Sequence, residues 1–184
     1  MPHEKHLASV LETLKLKDAN PCSTPHLSMD RPAVDPPIAM NTITTFRSCT
    51  MILNYMAADR LDVMRDIREL TQRMKSPTEY DMKHLKHVAR YLSGTEDLGI
   101  LSPWPDNKKF GEGIIDLVAS SDTDWVGDKE TQTSLVCFYI KADGMSLHST
   151  VRQQGLYATS SAEAEFVGIH TAATESLLYK RPFE

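Results

Sequence analysis

Two aspartates one residue apart, Asp122 and Asp124, stand in the stretch Ser121–Asp128, which reads SDTDWVGD. They follow the apolar run Ile114-Ile115-Asp116-Leu117-Val118-Ala119, whose length and β-branched content suit a buried strand. Side chains two apart on a strand share a face, so these carboxylates would lie ~7 Å apart. Buried without partners they would be costly, whereas Mg²⁺ or Mn²⁺ would stabilise them, because hard divalent cations prefer carboxylate oxygens. On spacing alone the pair also fits a solvated acidic turn, since structural carboxylates outnumber catalytic ones.

A second acidic group opens the last helical pattern, Ser160-Ser161-Ala162-Glu163-Ala164-Glu165-Phe166. Glu163 stands three residues after Ser160 and has an economical role as the reciprocal residue of a capping box. Glu165 has no such role, and its place at the border of the buried face lets its carboxylate look toward a sheet. Two strand carboxylates and one helix carboxylate could together hold two divalent ions. His84 and His87, beside Lys83, Lys86 and Arg90, could bind metal or phosphate. With no further ligand nearby in sequence they read as part of a basic exposed face.

The elements that must position these groups follow from periodicity. Leu7, Val10, Leu11 and Leu14 predict a helix over 5–17. Residues 20–40 contain Pro21, Pro25, Pro32, Pro36 and Pro37, and read as an extended linker. A helix from Thr44 or Thr45 to about Ala58 would bury Phe46, Met51, Ile52, Leu53 and Met56. A second would bury Val63, Met64, Ile67, Leu70 and Met74, with arginines and acids interleaved on an ion-paired solvated face. Ser76-Pro77-Thr78-Glu79 reads as a capping box with proline at the first helical position, opening a helix that Gly94 stops. The period then becomes extended: a short strand at 98–101, strands at 114–125 and 135–140, and an Asp143-Gly144 turn. A third strand lies at 145–151 or 155–159. A last helix from Ser160 or Ser161 would turn Phe166, Ile169, Ala173 and Leu177 inward and end at Pro182. The class is α+β: a helical segment, then a βββα unit with antiparallel strands.

The 184 residues, 41% of them hydrophobic, suffice for one large domain or two small ones. A formal charge of -5 argues against a chain built mainly for attraction to phosphate backbones. Cys22, Cys49 and Cys137 have no metal-type spacing, so free thiols are the expectation. The charged start lacks a signal-peptide core, and no apolar run reaches membrane-spanning length, so the chain reads as intracellular, cytoplasmic or nuclear, with no membrane partner.

Asp122-Thr123-Asp124-Trp125 with Gly127-Asp128, then Ser160 to Phe166, resembles the ribonuclease H domain of copia-type retrotransposon Pol polyproteins, whose pattern is SDxDWAGD followed by LSSAEAEY. Upstream, Phe46-Arg47-Ser48, Tyr55-Met56, Arg60-Leu61-Asp62-Val63 and Arg90-Tyr91-Leu92-Ser93-Gly94-Thr95 resemble that family's YRS, LxYL, RPDI and RYLKGT landmarks at the end of the reverse transcriptase. The resemblance implies residues 1–95 as a helical reverse-transcriptase segment and 96–184 as a partial ribonuclease H-like domain. It implies RNA–DNA hybrid as the substrate, Mg²⁺ or Mn²⁺ as the cofactor, and two-metal phosphodiester hydrolysis. It carries Asp122 and Glu165 over as catalytic metal ligands, with Asp124 a neighbour and Glu163 a cap.

The departures shape the expectation. The family's third metal-binding Asp follows this helix, and the chain stops at Glu184. The expectation is therefore a copia-type fragment that is inactive as a nuclease, or alternatively a non-catalytic module that binds nucleic acid or protein. An exposed sheet edge would favour self-association.

Overall fold

The computed structural model describes residues 2–102, 115–128 and 132–180. The chain divides into two compact units, Met1–Gly99 and Ile100–Glu184. Helices come first, then a three-stranded antiparallel sheet and a final helix, so the class is α+β.

The first unit holds α1 (Pro2–Thr13), α2 (Met40–Met56), α3 (Met64–Gln72) and α4 (Glu79–Ser93). Leu7, Val10 and Leu14 of the first helical pattern are buried with Phe46, Cys49, Leu53, Val63, Ile67, Leu70, Leu85, Val88 and Leu92 in one core. Helix α1 ends earlier than its apolar pattern suggests. Lys15 takes a left-handed backbone (φ 58) and Leu16 N–H donates to Leu11 O at 2.8 Å, which closes the helix as a Schellman-type cap. Helix α2 starts earlier than expected and buries Phe46, Cys49, Thr50, Leu53 and Met56. Met51, assigned to the stripe, is 50% exposed because it lies two residues before Leu53, across the helix from the core.

The expected arginine face also needs correction. Arg60 is buried, with Nε and Nη2 on the two Asp62 oxygens (3.0 and 2.8 Å) and Nη1 on Thr95 O (2.9 Å). A guanidinium presents five donors in a fixed fork, so one side chain can satisfy a carboxylate and the carbonyl left over where α4 ends. Asp66 is buried too, on the same stripe as Val63, Ile67 and Leu70.

Residues 20–39 contain no helix, and Pro37 forms an isolated bridge with Thr78. The segment is a strap within the first unit and not a spacer. Ile38 N–H donates to Pro77 O, Glu79 N–H to Pro36 O, and Tyr80 O–H to Met29 O at 2.8 Å. Arg31 lies over the Tyr80 ring and bridges Asp35 (2.7 Å) and Asp81 (2.5 Å). The pairing of Pro77 holds it extended, so α4 cannot begin there. Its capping box forms two residues later, with Thr78 as N-cap and Asp81 as its reciprocal partner.

In the second unit β1 (Leu117–Asp128), β2 (Thr133–Ala142) and β3 (Met145–Gln153) pair in the order β1-β2-β3, followed by α5 (Ser161–Lys180). Asp143 and Gly144 both have positive φ (47 and 83), the type I′ geometry that matches strand twist. Residues 98–101 form no strand, and residues 103–114 lie outside the described residues.

Helix α5 packs with the opposite face from the one its large apolar residues suggest. Phe166 (72% exposed), Ile169 and Leu177 point outward, and Ala173 is exposed, whereas Ala164, Gly168 and Ala172 are buried. Small residues four apart let the helix axis come close to the sheet. A Cβ on Gly168 would collide with the Thr123 hydroxyl and press on Val136, so the approach depends on the missing side chain. Ala172 then meets Phe138 and Ile140 of β2.

Candidate active site

Strand β1 carries the aspartates in register with β2: Asp122 opposite Cys137, Thr123 opposite Val136, Asp124 opposite Leu135. Thr123 is buried beneath α5, while Asp122 and Asp124 are exposed. Alternation therefore sets both aspartates on the strand face away from the helix. Past Asp124 the register shifts, Val126 takes a positive φ (53), and the ladder resumes at Asp128 opposite Thr133. The irregularity folds the Asp124 carboxyl over Gly127, where an added Cβ would lie 2.6 Å from Oδ2. Trp125 Nε1–H donates to Ala158 O at 3.1 Å, tying this end of β1 to the approach to α5.

The two glutamates have separate positions. Ser160 Oγ accepts from Glu163 N–H, and Glu163 Oε2 accepts from both the N–H and the hydroxyl of Thr159, each at 2.7 Å. Those two donors hold the Glu163 carboxyl below its ordinary range. Glu165, one half-turn on, accepts the Thr123 N–H on Oε1 at 3.3 Å. It therefore meets β1 at the residue after Asp122. At the other side of the helix start, the buried Gln154 donates from Nε2 to Ala164 O at 2.7 Å, which fixes the first turn of α5 against the sheet's exit strand.

The structure brings Glu165 to β1 but does not gather Asp122, Asp124 and Glu165 into one cluster. Among the described residues, the metal-capable group of three or more whose ligand atoms all lie within 4.8 Å is His26, Asp66 and His84, in the first unit. His84, expected on an exposed basic face, is buried; His87 is half-buried, with Nε2 2.9 Å from Thr24 O. Asp66, expected among the acids of the ion-paired solvated face, is buried, and His26 carries no motif in the sequence. The available signal was position: Asp66 lies three after Val63 and four before Leu70, and His84 four before Val88, all on buried stripes. Cys22, Cys49 and Cys137 carry free thiols. No helix of the described residues is long and apolar enough to cross a membrane.

The chain is similar to the retrovirus-related Pol polyprotein from transposon RE1 of Arabidopsis thaliana, 26% identical over 95% of this chain and 12% of that protein. A retrovirus-related Pol polyprotein from a transposon of Nicotiana tabacum is 23% identical over 98% of this chain and 14% of its own length. A secreted RxLR effector protein of Plasmopara viticola is 27% identical over 75% of this chain and 92% of its own. No family model and no solved structure matches the chain. The chain thus spans roughly an eighth of the length of the polyproteins it matches, and along nearly all of its own length it is similar to the copia-like, retrovirus-related Pol polyproteins of plant transposons.

Proposed function

We propose that the second unit carries the strand-and-helix half of a ribonuclease H-type site, with Asp122 and Glu165 as ligands for Mg²⁺ or Mn²⁺, Asp124 beside them, and an RNA–DNA hybrid as the nucleic acid. The observation that supports this reading best is the Glu165–Thr123 hydrogen bond, which sets a helix carboxylate against the strand directly after Asp122. Glu163, held by Thr159, is left to the cap. When bound, divalent ions of such a site activate a water and stabilise the leaving oxygen of a phosphodiester. Two first-rank carboxylates can hold one such ion weakly, and a two-metal reaction requires more ligands than these. The reading for these 184 residues is therefore metal and hybrid binding without cleavage.

Incubation with a labelled RNA–DNA hybrid and Mn²⁺ tests it, with filter retention and product gels read on the same sample. Salt-dependent retention without products supports the reading. Cleavage abolished by Asp122→Asn would replace it with an active nuclease, and no retention at low salt would remove nucleic acid as the partner.

We also propose self-association through β1. Among the described residues this strand pairs on one side with β2, and an edge strand offers backbone donors and acceptors to a second copy.

A further inference from the structure

The strap brings His26 to a carboxylate that two helices hold inside the first unit. Asp66, on α3, is nearly fully buried, and a single one of its oxygens, Oδ1, lies 3.0 Å from His26 Nδ1 and 2.9 Å from His84 Nε2 of α4. The His26 side chain is 61% exposed and the His84 side chain 2%, so the cluster is buried at Asp66 and His84 and meets water at His26.

We propose that His26, Asp66 and His84 form a binding site for a Zn²⁺-type divalent cation. Imidazole nitrogen suits this ion better than it suits Mg²⁺, and two histidines with one carboxylate leave a fourth tetrahedral position for water. Tetrahedral bonds of about 2.0–2.1 Å need ligand atoms ~3.3 Å apart. The two nitrogen–oxygen separations need open by only a few tenths of an ångström, and all three atoms already lie within 4.8 Å of one another. The adjustment falls on His26, the exposed member, carried by irregular backbone.

Without an ion, each ring can donate an N–H to Asp66 Oδ1. Accepting the ion requires the other tautomer of each ring, with the proton on Nε2 of His26 and on Nδ1 of His84, so no proton is lost from either neutral imidazole. The strap's placement does not depend on His26. Cys22 N–H donates to Arg90 O and Arg90 Nε–H to Asn20 O before it in sequence, and Tyr80 and Arg31 fasten the chain after it. The ligands come from three separate segments, so a bound ion would cross-link strap, α3 and α4. This site is independent of the carboxylates on β1 and α5.

The full chain, freed of metal by chelation, is titrated with Zn²⁺ by calorimetry and with Co²⁺ by visible absorption, and its melting temperature is followed. The expected result is one equivalent bound, a tetrahedral Co²⁺ spectrum and a melting temperature that rises with Zn²⁺. His26→Gln, on an exposed side chain, should keep the helical circular dichroism and weaken binding at least tenfold. Cys22→Ser should bind as the unaltered chain does. The proposal is overturned by an unaltered chain that takes up no Zn²⁺, by unchanged affinity in His26→Gln, or by loss of the site in Cys22→Ser.

Discussion

Glu165 Oε1 accepts the backbone N–H of Thr123, so a helix carboxylate occupies a strand donor that β2 does not use. Glu163, two residues earlier, faces the other way onto Thr159. The two glutamates of one short motif thus have distinct surroundings, and substitutions can separate them.

Glu165→Gln should weaken Mn²⁺ binding to the full chain several-fold and leave the unfolding midpoint nearly unchanged. Glu163→Gln should do the reverse, lowering the midpoint through a weaker cap with Mn²⁺ affinity intact. Paramagnetic broadening of resonances near β1, read beside urea unfolding, checks both. Equal effects of the two substitutions on Mn²⁺ would remove Glu165 from the site.

Gly168→Ala should destabilise the second unit by about 1–3 kcal/mol, the usual cost of overpacking. An exposed helical glycine replaced by alanine normally stabilises by about 0.5–1 kcal/mol, so the sign is diagnostic. At Gly155, where an added Cβ meets nothing within 4 Å, the same change should be close to neutral. Urea midpoints of the two variants make the comparison.

Arg31→Ala should cost about 3 kcal/mol, because it leaves the buried Asp81 carboxylate without its guanidinium partner. The bonds from Thr78 to Asp81 remain and limit the loss. Limited proteolysis should then cut first within residues 20–39. Unchanged stability would mean that the strap contributes little to the first unit.

Acid should weaken the first unit partly through Asp62. Burial raises its pKa, but hydrogen bonds from Arg60 and Tyr91 and the Arg60 charge outweigh burial, so the folded value lies below the unfolded one. A depressed carboxylate pKa contributes stability that is present above the unfolded value, about 3.9, and is lost as pH falls through the folded value. Asp62→Asn should therefore be less stable at pH 7 and lose less between pH 5 and pH 2. Urea unfolding across that range reads the difference, and parallel pH profiles would contradict it.

Light scattering against concentration should show reversible association through β1. Val118→Lys, which puts a charge on a half-exposed position of that edge strand, should shift the equilibrium toward monomer. A chain monomeric at all concentrations would dispose of the edge contact.

Much of the second unit was legible because its signals are local. Asp143-Gly144 requires positive φ at both turn positions and fixes the β2–β3 hairpin, and Ser160 with Glu163 marks the start of α5. The inward face of α5 was not legible. Phe166, Ile169 and Leu177 repeat at helical spacing as well as Ala164, Gly168 and Ala172 do, and hydrophobicity alone favours the larger set. Close approach over Thr123 decides for the smaller one. In the first unit the four helices followed from periodicity, but the strap did not. A proline-rich stretch without periodicity looks like a spacer until its carbonyls and amides find partners on α4. The burial of Asp66 and His84 was written in their positions on apolar stripes, and charge argued the other way until each supplied the other's partner.

The strap also sets an order of events. Its contacts close loops of about fifty to seventy residues, as Tyr80 to Met29, Arg31 to Asp81 and Arg90 to Asn20 show. Such closures lose chain entropy before their bonds form, so they follow the docking of neighbouring helices during folding. They should also be the first to release on warming, with amide exchange fastest around residues 20–39 while α2 to α4 stay protected. When the strap lifts, Asp66 and His84 lose their contacts with His26 while their own hydrogen bond across α3 and α4 stays in place.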